Sequence, residues 1–345
     1  MKVMVTGGCG FLGSYVCERF IKMGWQVVAY DNMTKFEYKR TGYNVELVRD
    51  YNRRYLEGIG VEIVEGDIRN SRMVCKTAQR CNLITHCAAQ PAMTIAIEYP
   101  KLDFDINVGG VLSVLEACKK WDIPMVNCST IHVYGNEGIN KTLTQGDTRF
   151  LRLDGPIGEH SPLLSGVVSP LHASKQTAEI YVKAYADTYG VKAATFRLTG
   201  IYGPRQFGGE DHGWVANFAI RTLKEQPIKI FGSDKQVRDI LYVKDAARAF
   251  WEWYDSGCEP GAYNIGGGNE TSISIQELLD MLEMKTGKRS AVQLLPKRHG
   301  DLWWFISNYE KAEQSFGWKP RFLPEYGVGE LLKWIEQNGG LFDEK

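Results

Sequence analysis

The sequence predicts an α/β protein: a doubly wound parallel sheet with helices on both faces and a smaller C-terminal lobe. Three observations predict it. Short apolar runs alternate with amphipathic stretches through the first half of the chain, the rhythm of βαβ units, whose strands pair in parallel. A glycine turn, Gly7-Gly8-Cys9-Gly10-Phe11-Leu12-Gly13, joins the first apolar run to the first amphipathic one. The length, 345 residues, exceeds what one core usually serves, so a lobe and a cleft are expected beside the main body.

Val3-Met4-Val5 reads as the first strand, followed by the glycine turn and a helix over 11–23. A second strand spans 26–30 and a third 61–65, separated by a polar, aromatic-rich insertion between Lys35 and Gly60 that carries one helix. Leu83-Ile84-Thr85-His86 is the fourth strand. A helix over about 100–120 follows, then a strand at 125–128, a helix over 174–189 and a strand at 193–198. Residues 135–169 form a long Gly- and Pro-containing connection, and connections of that length usually serve function. Beyond Gly203 the pattern loosens into shorter pieces, with helices at 213–225, 275–286 and 327–338. Residues 1–203 are therefore expected to bind a cofactor and 204–345 to form the substrate-binding lobe, some of whose segments return to the main sheet.

Acidic and basic residues balance at 41 each, which leaves no electrostatic footprint for nucleic acid or an anionic membrane. The longest apolar runs are strand-sized, and the start leads straight into the glycine turn, so a cytoplasmic protein without a membrane span is expected. Eight cysteines lie scattered without C-x-x-C spacing, the pattern of reduced, buried thiols. Six histidines, at 86, 132, 160, 172, 212 and 299, show no metal-ligand spacing, and no metal is expected.

A glycine turn between a strand and a helix suits a dinucleotide. Gly7 and Gly10 let the backbone approach a pyrophosphate, whose charge meets the free N–H groups opening the helix at Phe11 and Leu12, while Gly13 lets that helix sit close to the sheet. Asp31, ending the second strand beside Asn32, is placed to accept hydrogen bonds from the adenosine ribose and to repel a 2′-phosphate, favouring NAD over NADP. Asp67 and Ile68 after the third strand, and Cys87, Ala88 and Ala89 after the fourth, fall at sheet ends where further cofactor contacts belong.

Taken together, Gly7 to Gly13, Asp31-Asn32, Gly66-Asp67-Ile68, His86 to Gln90, Asn107, Thr130 with Val133-Tyr134-Gly135, and Ser174-Lys175 resemble the extended short-chain dehydrogenase/reductases, the NAD-dependent epimerase/dehydratase family of Rossmann-fold enzymes. Within it, Gln90-Pro91-Ala92-Met93-Thr94, Asp103 to Gly110, Arg205-Gln206-Phe207 leading to His212 to Val215, and Lys235 to Asp239 look most like CDP-tyvelose (CDP-paratose) 2-epimerases. The resemblance implies a CDP-hexose substrate, oxidation of its carbon 2 by bound NAD, rotation of the ketone and return of hydride to the opposite face. It also implies Thr130 at the reacting hydroxyl, Lys175 on the nicotinamide ribose, and Arg238 and Arg298 on the nucleotide diphosphate. Gln90, a cofactor contact as well, joins Met93, Thr94 and Asn217 as sugar-side contacts. Family members often pair through the two long helices, so a homodimer is expected.

One position departs from the family. Its Y-x-x-x-K pattern places a tyrosine one helical turn before the lysine, and here Ser169-Pro170-Leu171-His172-Ala173-Ser174-Lys175 puts Leu171 there. Hydride removal from an alcohol also requires its proton to leave, and leucine accepts none. His172 should turn away from the face carrying Lys175. His132, two residues after Thr130, reads equally as an acid/base group that titrates near neutrality or as a histidine satisfied by backbone hydrogen bonds in the loop; related 4,6-dehydratases resemble this loop but place an acid/base pair after the threonine. Three readings stay open: a 2-epimerase with a substitute base, a related enzyme that begins by proton abstraction with His132, and a protein that binds NAD and sugar nucleotide without turnover.

Overall fold

The computed structural model describes residues 1–34, 36, 40–298 and 300–343. Lys35, the near boundary of the expected insertion, and His299 of the histidine survey lie outside the described residues. Seven strands form the central sheet: Lys2–Thr6 (β1), Gln26–Asp31 (β2), Glu62–Glu65 (β3), Leu83–His86 (β4), Met125–Thr130 (β5), Ala193–Leu198 (β6) and Gly261–Ile265 (β7). Their order is β7-β6-β5-β4-β1-β2-β3, and every neighbouring pair is parallel. The winding reverses at β1, whose neighbours are β2 and β4, so a crevice opens there at the strands' carboxyl ends.

Alternation along β1 shows how the sheet buries both faces. Val3 and Val5 point into a core with Val16 and Phe20 of helix Phe11–Lys22 and Ala246, Phe250 and Trp253 of helix Val243–Asp255. Met4 points the other way, toward Val114 and Leu115 of helix Gly110–Trp121 and Ala178 and Val182 of helix Pro170–Tyr189.

A second core defines the lobe: Ile228 and Ile230 with Val215, Phe218, Leu278, Leu282, Val328 and Leu331. It joins helices Trp214–Leu223, Ile275–Thr286 and Pro324–Gln337 to the parallel strand pair Ile228–Phe231 and Val292–Leu295. The chain does not divide at one point, because β7 and helix Val243–Asp255 belong to the main sheet although they follow residue 203.

Two helices differ from expectation. The helix expected over 174–189 starts at Pro170, with Ser169 as its cap: the Ser169 hydroxyl accepts from His172 N, and His172 Nδ1 accepts from Ser169 N. The helix expected over 100–120 is interrupted by a π-helical turn at Asp105–Gly109.

Candidate active site

Close contacts in the glycine turn explain its composition. Gly7 has φ +64°, and a Cβ there would lie 2.7 Å from Ala88 N of the turn after β4. A Cβ on Gly13 would lie 2.1 Å from the Gly7 carbonyl oxygen. Gly8, not singled out in the sequence, is equally constrained, since its Cβ would meet that of Ala29 at 2.5 Å. Gly10 precedes helix Phe11–Lys22 and supplies no side-chain cap, leaving the N–H groups at Phe11 and Leu12 directed at the crevice. Asn52 braces the turn, its amide donating to the carbonyls of Cys9 and Gly10 at 3.3 Å each. An uncapped helix start behind a turn that admits no side chain fits a dinucleotide pyrophosphate.

Asp31 lies at the end of β2, its carboxylate accepting from Cys9 N at 3.0 Å and Met33 N at 2.8 Å. Those backbone bonds fix its orientation at the carboxyl end of β2. Asn32 donates to Asp67 Oδ2, and Arg69 grips the same carboxylate through two nitrogens, holding it well below the usual carboxylate range. Ile68 serves the core instead, packed under Gly110. Cys87, Ala88 and Ala89 line the end of β4, where Cys87 N donates to Thr6 O and Ala88 N to Thr6 Oγ1.

Gln90 is committed to the protein. Its side-chain amide donates to Ala92 O and Asp103 Oδ1 and accepts from Ala92 N, which leaves it bracing the loop rather than reaching a sugar. Asn107, on the π-helical turn, completes the brace: it accepts from Gln90 N at 2.9 Å and donates to Gln90 O, Asp103 and Ser174 Oγ.

Beside this loop a cavity of about 440 Å³ joins the sheet to the lobe. Thr130, His132, Leu171, Lys175 and Met93 line it together with Asn217, Arg238 and Arg298. Leu171 and Lys175 thus share the face that the helical spacing implied. Lys175 donates to the Cys128 carbonyl at 3.1 Å, and burial lowers its pKa. Thr130 Oγ1 accepts from His132 N, fixing the hydroxyl at the cavity wall.

His132 departs from the reading in which it titrates near neutrality. Burial pushes its pKa down to about 3, with the Arg238 charge and His172 acting in the same direction, so it is neutral at neutral pH. Its Nδ1 is buried without a hydrogen-bond partner, and its ring stacks on that of His172 with centroids 5.6 Å apart. His172 stays outside the cavity, serving the helix cap.

Arg238 donates to the carbonyls of Val237 and Leu302, and Arg298 donates to Glu210 O while lying over the Phe231 ring at 3.9 Å. Each guanidinium has five donors, so capacity for phosphate oxygens remains on both. Asp301, which the sequence did not single out, faces both arginines; burial raises its pKa against their pull. Thr94 is not in the cavity wall, donating instead to Asp211 at 2.6 Å. Among the described residues no group of three or more His, Cys, Asp or Glu side chains could hold a metal ion, and no helix is long and apolar enough to cross a membrane.

Residues 3–266 match the model of the NAD dependent epimerase/dehydratase family. The chain is 32% identical over 346 residues to a CDP-paratose 2-epimerase of Salmonella typhi, covering 97% of this chain and 99% of that protein. A Thermus thermophilus UDP-glucose 4-epimerase, solved in complex with NAD, is 30% identical, with a TM-score of 0.80 over 97% of this chain and 99% of that one. A Thermotoga maritima UDP-glucose 4-epimerase with UDP-glucose gives a TM-score of 0.80 at 28% identity, over 98% and 99% of the two chains.

Proposed function

The chain belongs to the NAD dependent epimerase/dehydratase family of nucleotide-sugar enzymes, with NAD as its cofactor, and from that premise we propose that it epimerises a CDP-hexose at carbon 2. One observation carries the reading: a single cavity unites Thr130, Leu171 and Lys175 with Asn217, Arg238 and Arg298. The choice of CDP and of carbon 2 is supported by the near full-length similarity to a CDP-paratose 2-epimerase.

When bound, NAD supplies reversible acceptance of a hydride from a sugar carbon. Gly7, Gly10, Phe11, Leu12 and Gly13 hold its pyrophosphate, Asp31 its adenosine ribose and Lys175 its nicotinamide ribose. Arg238 and Arg298 hold the diphosphate of the sugar nucleotide, with donors suited to phosphate oxygens. Thr130 orients the reacting hydroxyl and Lys175 lowers that hydroxyl's pKa. The neutral ring of His132, in the same cavity wall, accepts the hydroxyl proton. A base whose conjugate acid has a pKa near 3 holds a proton briefly, so this route is slower than one ending on a phenol.

The second reading, proton abstraction by His132 in the manner of a dehydratase, is favoured by that residue's place in the cavity wall. The lowered pKa weighs on both readings alike, and the near full-length similarity to a CDP-paratose 2-epimerase favours the first. We further propose a homodimer through the two long helical stretches expected to pair, about 102–120 and 174–189, on which Phe104, Ile180 and Tyr181 are exposed.

Incubation of the NAD-loaded protein with CDP-paratose, and separately with UDP-glucose, followed by NMR of the sugar, tests the reading. A carbon 2 epimer from the CDP-sugar and none from the UDP-sugar is expected. Inversion of UDP-glucose at carbon 4 would replace it.

A further inference from the structure

We propose that Cys87 and Cys128 form an oxidisable dithiol at the cavity floor, and that its closure to a disulfide shuts the site. The two residues come from neighbouring strands. His86 of β4 stands opposite Asn127 of β5, so Cys87 and Cys128 are the next opposed positions. Neighbouring strands run about 4.8 Å apart, within the range of roughly 4.4–6.8 Å that a disulfide spans between Cα atoms. Opposed residues of parallel strands also project to the same face. The sulfurs already lie 3.6 Å apart, and Cys128 lines the cavity, which gives a small oxidant its path.

The chemistry needs only hydrogen peroxide. Peroxide oxidises the Cys128 thiol to a sulfenic acid and is itself reduced, releasing one water. The Cys87 sulfur then attacks that sulfur: the S–S bond forms, the S–O bond breaks, and the hydroxyl leaves with the Cys87 proton as a second water. Contact with Cys128 and burial push the Cys87 thiol up, so the second step quickens as pH rises.

Closure has a mechanical consequence. The Cys128 carbonyl receives the Lys175 hydrogen bond, and Thr130 lies two residues farther along β5. Closing the sulfur gap by about 1.5 Å, the difference from a covalent S–S bond, ties β5 to β4 at Cys128 and so bears on the Lys175 contact made there. Loss of turnover therefore rests on the cavity being the reaction site, whereas the cross-link itself does not.

The NAD-loaded full chain is treated with hydrogen peroxide, then followed by intact mass, non-reducing peptide mapping and turnover of CDP-paratose. The expected product has lost about 2 Da, the two thiol hydrogens, and yields a peptide joining Cys87 to Cys128. Turnover falls roughly tenfold or more, as displacement of positioning groups by an ångström does, and returns with dithiothreitol. Cys128→Ser forms no such peptide, while Cys75→Ser, which changes a partly exposed thiol elsewhere, forms it as the parent does. Cys128 oxidised to sulfinic acid with Cys87 unlinked, or a Cys87–Cys128 link that leaves turnover intact, overturns the proposal. If CDP-paratose is not turned over before oxidation, the failure lies with the function, and the peptide map alone decides the dithiol.

Discussion

Arg298 and Leu171 line one cavity, and each carries a separate prediction. Arg298→Ala removes donors from the diphosphate end, where a charged hydrogen bond contributes about 1.5–3 kcal/mol. KM for the sugar nucleotide should rise by roughly tenfold or more, with kcat changed far less, in steady-state kinetics. Leu171→Tyr restores a phenol on the face that carries Lys175, and turnover should rise; unchanged or lower turnover would mean that Leu171 belongs to another mechanism. His132 is neutral down to about pH 3, so kcat of the parent should show no acid limb near 6.5, the ordinary histidine value of about that size. A limb there would show that the imidazole titrates normally once substrate is bound. At this scale the sequence was legible where one residue type alone fits, as at Gly7 and Gly13, whose close contacts exclude a side chain. It was not legible for Gln90, Thr94 or His132, because partners distant in sequence decide what those side chains touch. Asp103 holds Gln90, Asp211 holds Thr94, and Arg238 and His172 surround His132.

Elements set the positions of these side chains. Helix Pro170–Tyr189 carries Leu171 and Lys175 into the cavity and is capped by Ser169, a start signalled in the sequence by Ser169 followed by Pro170. Ser169→Ala should cost about 1 kcal/mol and lower the melting temperature by roughly 1–2 °C for a chain of this size, measurable by calorimetry. The π-helical turn at Asp105–Gly109 brings Asn107 to the 90–92 loop, a deviation that a 3.6-residue period cannot signal. Helix Val243–Asp255 was legible in principle: Val243, Ala246, Ala247, Phe250 and Trp253 follow the helical period, although charged residues interrupt the run. The cysteine pair was not legible, since 41 residues separate Cys87 from Cys128 and only the pairing of β4 with β5 opposes them.

Across the whole molecule, the βαβ rhythm predicted the sheet and its parallel sense, while β7 was hidden because it enters after a long excursion through the lobe. Burial of neutral histidines also couples the fold to pH. His86 and His132 are both pushed down to about 3, by burial first, with Lys175 adding to the effect at His86 and Arg238 at His132. Their ordinary value is about 6.5, so between that pH and 3 the unfolded chain binds more protons than the folded one. The histidine contribution is therefore fully present above about pH 6.5 and is lost progressively as pH falls toward 3. The carboxyls of Asp103, Asp239 and Asp301, raised by burial, act in the opposite sense, which makes a difference measurement the clean one. The loss of melting temperature from about pH 7.5 to about pH 5 should be smaller in His132→Phe than in the parent; an equal loss would remove His132 from the account. In the proposed reaction the hydrogen leaving carbon 2 of the sugar returns to it through bound NAD. NMR of CDP-paratose incubated with the NAD-loaded protein in heavy water tests that most directly. A carbon 2 epimer that keeps its own hydrogen is expected, whereas deuterium at carbon 2, or loss of water from the sugar, would rule hydride return out.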